Sequence, residues 1–287
     1  MRRRWKKTAL FVLSAIGIPI LITCCFQRQK GLIFSKEKCI DDYLPAMLYL
    51  SIDSSFETET LKAQAVLIRT NCYRVHNASD EFFKKTEEFY KRNITNIEVQ
   101  RQLDWLEHLI QTTDEKVLMF RGNLCSAAYH KVSAGKTRNG EETMMNEEFA
   151  YLSSVDSSLD TNSADYIDSF SFNKETFVIC LNESYPQAHI TREALESQIK
   201  ILSTDEVGYV LRMQVGDVEV GGEEFRLKLN LNSSCFTVEN YENEIVFVCK
   251  GVGHGLGMSQ YGANLLAKEG YMYEEILKYY FPKAIIE

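Results

Sequence analysis

The chain has 287 residues, 32 of them basic and 40 acidic, for a net charge of −8. Seven basic and no acidic residues lie in the first thirty, which leaves 25 basic against 40 acidic residues, a net of −15, in the rest. So acidic a body argues against nucleic acid or an anionic polymer as main partner and stays compatible with neutral glycan.

Arg2, Arg3, Arg4, Lys6 and Lys7 precede nineteen uncharged residues, Thr8 to Phe26. That is about the length of a helix that crosses a bilayer. Basic residues in front favour a cytoplasmic N terminus and send the chain beyond Phe26 outside. No Ala-x-Ala cleavage site comes after it, so the segment reads as an uncleaved single-pass anchor. The expected organisation is a basic tail and transmembrane anchor over 1–30 and an extracytoplasmic domain over 31–287. Cys39, Cys72, Cys125, Cys180, Cys235 and Cys249 lie outside the anchor, with no CxxC pair and no zinc-type spacing. An exported domain permits disulfides, but this spacing does not demand them.

Residues 40–75 read as helical. Leu44, Met47, Leu48 and Leu50 form one apolar group, and Leu61, Ala65, Ile68 and Cys72 repeat at helical spacing in a second segment. Lys62 and Arg69 fall off that stripe and share a face, either as a solvated basic edge or as a ligand-facing pair. Residues 79–113 read as a charged helical insertion. From Val117 the texture turns to strands: 117–120, a Gly122-Asn turn, then 125–129, with further strands expected at 177–180, 208–215, 225–231 and 235–238. The polar, glycine-bearing segment 130–137 suits a binding loop.

Ile245 to Cys249 reads as a strand and Ala263 to Glu269 as a helix closed by Gly270. Between them Gly251, Gly253, Gly255 and Gly257 alternate around His254, followed by Ser259, Gln260 and Tyr261. Glycine serves where backbone takes positive φ or approaches a neighbour closely. The spacing matches neither the dinucleotide nor the P-loop pattern. Tight packing of two elements and the holding of a ligand both remain open. The fold class expected is α+β, a single elongated ectodomain with a mixed, mostly antiparallel sheet and flanking helices.

Gly251 to Ala263 together with Glu275-Ile-Leu-Lys-Tyr-Tyr-Phe-Pro282, Leu61-Lys-Ala-Gln-Ala-Val66 with Arg69-Thr70, and Tyr129-His130 with Ser133-Ala-Gly-Lys-Thr137 resemble three signatures of the stage II sporulation protein D family, in that family's order. The amidase-enhancer proteins form its other branch. The resemblance implies a role in endospore formation, in engulfment, at the mother-cell membrane facing the forespore. It implies lytic transglycosylation of peptidoglycan glycan strands already stripped of peptides by a partner amidase, alongside membrane partner proteins. It assigns Lys62, Gln64, Arg69, His130, Ser133, Lys136, Thr137, His254, Ser259, Gln260 and Tyr261 to glycan binding, with Arg69 the foremost contact and the three motifs forming one groove.

One position departs. The family's catalytic glutamate falls on Ser51, its methionine on Ile52 and a common proline on Asp53. A hydroxyl is too weak an acid to protonate a leaving glycosidic oxygen. Asp53, Glu57 or Glu59 supplies the acid instead, or the chain binds glycan or assembles complexes without cleaving. No cofactor is expected. No metal is expected either, because no cysteine or second histidine lies between His130 and Asp160.

Overall fold

The structure is a computed structural model and describes residues 40–74 and 81–287. The expected anchor lies outside the described residues, as does Cys39; among the described residues no helix is long and apolar enough to cross a membrane.

A 3-10 turn leads into α1 (Leu44–Ser51), whose Pro45 sits in the first turn where a missing N–H costs nothing. Residues 44–48 are all buried. α2 (Thr58–Arg74) is the central helix, buried around most of its circumference. Its run of alanine, leucine and valine is therefore a core surface on more than one side. α3 (Glu81–Asn93) and α4 (Ile97–Gln111) occupy the segment expected to be helical. Asn96 ends their connection and caps α4, its side chain accepting from Glu98 N and Val99 N. Leu106, Leu109 and Ile110 of α4 pack with Leu44, Met47, Leu61 and Ile68 of α1 and α2 in one cluster.

The expected single mixed sheet is instead four small ones. β1 (Leu118–Phe120), β2 (Asn123–Leu124) and the terminal β11 (Ile285–Ile286) form one. β3 (Tyr129–His130) pairs with β10 (Met258–Ser259) in parallel, the one parallel pairing among the named strands. β4 (Ile167–Asn173), β9 (Glu244–Lys250) and β8 (Phe236–Asn240) form a third, and β5 (Ile199–Thr204), β6 (Val210–Val215) and β7 (Val218–Gly221) a fourth.

Two expected strands are helices. Residues 177–180 lie in α6 (Lys174–Ser184), after a short α5 (Gly140–Met144); Asn173 caps α6 by accepting from Glu175 N and Thr176 N. Residues 225–231 overlap α8 (Gly222–Lys228), which comes after a one-turn α7 (Leu195–Gln198). Of the expected strand at 125–129, only Tyr129 joins a ladder. α9 (Gln260–Lys268) and α10 (Tyr273–Tyr280) close the chain.

These elements gather around separate cores. One lobe is built on Phe177, Phe225, Phe236 and Phe247, whose rings touch in series. The other packs α2, α9 and α10 through Val66, Leu67, Ala263, Ile276 and Tyr280. The glycine loop runs between them.

Candidate functional site

The loop's shape is set by its glycines. Gly251, Gly253, Gly255 and Gly257 all take positive φ. At Gly253 (φ +111°) an added Cβ would stand 2.7 Å from the His130 Cβ, and at Gly257 it would run into the Ala128 carbonyl. The bare backbone can therefore lie directly on the central segment. Val252 exchanges hydrogen bonds with Val132, and Met258 N donates to Ala128 O. The glycines serve close packing, and that packing delivers Gln260 to one place.

That place is the end of α1. Gln260 Nε2 donates to the Ser51 carbonyl at 2.8 Å and to Gln64 Oε1 at 3.3 Å. The Ser51 hydroxyl donates to Leu48 O at 3.2 Å and shares a hydrogen bond with the Tyr129 phenol. Burial raises the Tyr129 pKa, and the hydrogen bond shared with Ser51 opposes the rise. Tyr261 N donates to Lys131 O. Ser51 of the first motif, Tyr129 of the second and Gln260 of the third thus meet in one hydrogen-bonded cluster. Asp53 stands exposed at its edge, Oδ1 accepting from Ser55 N at 2.9 Å. That bond, with the nearby Lys131 ammonium, holds its carboxyl below the ordinary range. Asn264 of α9 accepts from Glu57 N at 2.8 Å, tying the loop helix to the start of α2.

Two histidines of the central and glycine-rich loops have ring centroids 5.9 Å apart. His130 Nδ1 bonds the Leu256 carbonyl at 3.1 Å, which fixes it as the Nδ1–H tautomer and leaves its buried Nε2 without a partner. Burial, reinforced by the neighbouring ring, pushes the His130 pKa down to about 3. His254 Nδ1 accepts from Leu256 N at 3.0 Å, and a further bond ties the ring to the Tyr129 backbone. Its pKa is also lowered, mainly by burial. Both rings are neutral at pH 7 and hold backbone in place. Among the described residues no three His, Cys, Asp or Glu side chains gather as metal ligands.

Several residues that sequence reasoning did not single out complete the frame. Asp160 is fully buried; its Oδ2 accepts from Ser133 N at 2.7 Å. Burial raises its pKa, while hydrogen bonds from Ser259, Ser133 and Ser157 oppose the rise. Arg138 pairs with Asp205 at 2.5 Å, donates from Nη1 to His254 O at 3.2 Å, and lies 4.8 Å from the centre of the Tyr209 ring. Asp205 in turn accepts from the backbone N–H groups of Val207, Gly208 and Tyr209. Lys131 directly succeeds His130 in the central motif, a signal that was available in the sequence; for the Arg138–Asp205 pairing, 67 positions apart, no local pattern existed.

Other expected site residues lie apart from this cluster or are engaged internally. Arg69, expected to contact glycan, is 2% exposed and donates to Thr113 Oγ1, Lys116 O and Ile110 O. It joins α2 to the end of α4, on the wall of a cavity of about 740 Å³ that Asp42, Glu107, Asp114 and Glu115 also line. Lys62 pairs with Glu59 at 2.7 Å, and Glu59 also accepts from Tyr273 N. Ser133 and Thr137 are buried: Ser133 Oγ accepts from Gly135 N, and Thr137 Oγ1 bonds Ser153 O and Val155 N. Lys136 is exposed on that loop. Ser259 is buried and caps α9, accepting from Gly262 N at 3.2 Å.

Fold and site together define an α+β protein whose first helices, central loop and glycine-rich loop meet in one hydrogen-bonded polar cluster. The family model described as "SpoIID: Stage II sporulation protein" matches residues 28–120. The chain is 28% identical over 258 residues to stage II sporulation protein D of Bacillus subtilis, covering 84% of this chain and 72% of that one. The counterpart in Bacillus amyloliquefaciens is 24% identical over 274 residues, with the same coverage. The amidase enhancer of Bacillus subtilis is 25% identical over 278 residues, 80% of this chain but 38% of that longer protein. The chain is related to the stage II sporulation protein D proteins over most of its length.

Proposed function

We propose that this protein binds peptide-free glycan strands of peptidoglycan in the cleft around Ser51 without cleaving them, at the cell membrane during engulfment. The observation that carries this reading is the chemistry available at Ser51. Lytic transglycosylation needs one acid that protonates the glycosidic oxygen and then, as a base, helps the sugar's own hydroxyl close on the anomeric carbon. Ser51 offers a hydroxyl already bonded to Leu48 O and Tyr129. Asp53 is exposed, and the Ser55 N–H stabilises its charged form, so it holds no proton to give at neutral pH. Glu59 is engaged by Lys62 and Tyr273, and Glu57 is exposed to solvent at the start of α2, where no desolvated pocket surrounds a proton donor. What remains around Ser51 is tyrosine rings, an amide and an exposed Lys131–Asp165 pair at 2.8 Å, groups suited to a hydroxyl-rich ligand.

The relatives' names support the setting: two are stage II sporulation proteins and one an amidase enhancer. On that basis the chain acts in the mother-cell membrane facing the forespore, beside an amidase and membrane partners, held by Thr8 to Phe26. The test mixes full-length protein with denuded glycan strands. Co-sedimentation without anhydro-ended fragments in mass spectra is the expected result; such fragments from the wild type would overturn the non-cleaving reading. Ser51→Glu, which restores a carboxyl at that position, is expected to release them, and Ser51→Ala is not.

A further inference from the structure

A second cavity, of about 380 Å³, lies between the C-terminal end of α2 and the β1–β2 hairpin, a volume within the usual range for small-ligand sites. Among the described residues Arg74, Arg121, Phe120, Phe149 and Tyr151 line it, with Glu148 the one acidic residue. Two guanidinium groups against one carboxylate make the described lining net positive in a chain of net charge −8. Cys125 adds no charge, since burial pushes its thiol up to about 12. Among the described residues neither Arg74 nor Arg121 has its guanidinium in a salt bridge or hydrogen bond.

The aromatic side is built and held. Phe120 and Tyr151 have ring centroids 5.2 Å apart, and Phe149 and Tyr151 6.4 Å. Tyr151 is locked by its hydroxyl, which accepts from Ser126 N at 2.7 Å. Arg121 is placed at a cost: at the hairpin tip it takes φ +50°, a conformation that disfavours a side chain by about 1–2 kcal/mol. Its guanidinium lies 5.0 Å from the centre of the Phe120 ring.

A guanidinium fork matches a carboxylate, and aromatic faces suit the apolar face of a sugar ring. We infer that this cavity is a second saccharide subsite, taking a sugar ring that bears a carboxylate: Arg74 and Arg121 hold the carboxylate and the three aromatic rings the sugar. The inference rests on the reading of this chain as a glycan binder and extends it. Gln64 in the cleft and Arg74 in the cavity sit on one helix, about 15 Å apart along its axis. Between them Asn71 exchanges two hydrogen bonds with Ala127, at 2.8 and 2.9 Å, so the segment from Ser126 to Tyr129 joins cavity to cleft.

The test titrates full-length protein with N-acetylmuramic acid, N-acetylglucosamine and N-acetyl-D-alanine, monitored by saturation-transfer NMR. N-acetylmuramic acid is expected to bind at least about tenfold more tightly than either of the others, each of which lacks one of the two recognised groups. Arg74→Gln with Arg121→Gln is expected to erase that preference at unchanged thermal melting, and Gln260→Ala to keep it. Equal binding of the two sugars, a preference that survives the double variant, or N-acetyl-D-alanine binding as well as the acid sugar would each sink the subsite. Wild-type protein that prefers the acid sugar yet fails to co-sediment with denuded strands would instead sink the cleft reading alone.

Discussion

The side-chain amide of Gln260 donates to the backbone carbonyl of Ser51, a bond that spans 209 positions of sequence. It fastens the glycine loop to the end of α1 and, through Gln64, to the middle of α2. Gln260→Ala leaves two acceptors without that donor in a partly buried place. A loss of about 1–3 kcal/mol is expected, read as a lower urea midpoint, together with weaker co-sedimentation with denuded glycan.

Arg69 separates a structural role from a binding role. Its three donated bonds hold the end of α4 against α2. Arg69→Ala is expected to lower stability by about 3 kcal/mol, because a buried hydrogen-bond network loses its centre. Glycan affinity of the folded protein should stay at the wild-type value. Full stability with abolished binding would place the guanidinium on the ligand after all.

The histidine pair makes stability depend on acid. The unfolded chain protonates His130 near pH 6.5, whereas the folded chain resists until about pH 3. Between those values the unfolded state binds more protons, so stability falls as pH falls. At pH 4.5 the loss from His130 alone is about 2–3 kcal/mol, and His254 adds in the same direction. Asp160 works in the opposite sense, because its raised pKa favours the folded state in acid. His130→Asn retains a donor for Leu256 O and removes the titration. Urea melts at pH 7 and pH 4.5 should therefore show a smaller acid loss in the variant than in the wild type.

The glycines offer an internal control. Gly270 has φ +97° with nothing within 4 Å of an added Cβ, so Gly270→Ala carries backbone strain alone, about 1–2 kcal/mol. Gly257 has φ +69° and the Ala128 carbonyl in the way. Gly257→Ala is expected to cost at least twice as much in thermal or urea melts and to part β3 from β10. Equal losses in the two variants would contradict the close approach.

Much of this was legible along the chain, and the failures have physical causes. The glycine loop between strand and helix announced itself because positive φ at alternate positions restricts residue choice. α2 was visible from its apolar repeat, but Arg69 and Lys62 were not placed by it, because face alone does not say what covers a face. Residues 177–180 look like a strand until Asn173 is read as a cap, since four apolar residues fit either period. The apolar residues at 225–231 hid a helix begun by Glu223 and Glu224 and steadied by the Arg226–Glu223 pair. Asp160 and Arg138 were invisible because their partners lie far away in sequence, and the local turn of Asp205 with residues 207–209 does not announce its pairing with Arg138.

The clasp between Arg138 and Asp205 has a consequence for how damage spreads. Asp205 belongs to the lobe that holds β5 and β6, and Arg138 passes its grip to the His254 carbonyl at the root of the glycine loop. Loosening in the phenylalanine-rich lobe is therefore felt at Gln260. Heat-sensitive lesions far out at Phe225 or Phe247 should silence glycan capture at temperatures where α1 and α2 still stand, a remote fuse rather than a second hand on the ligand.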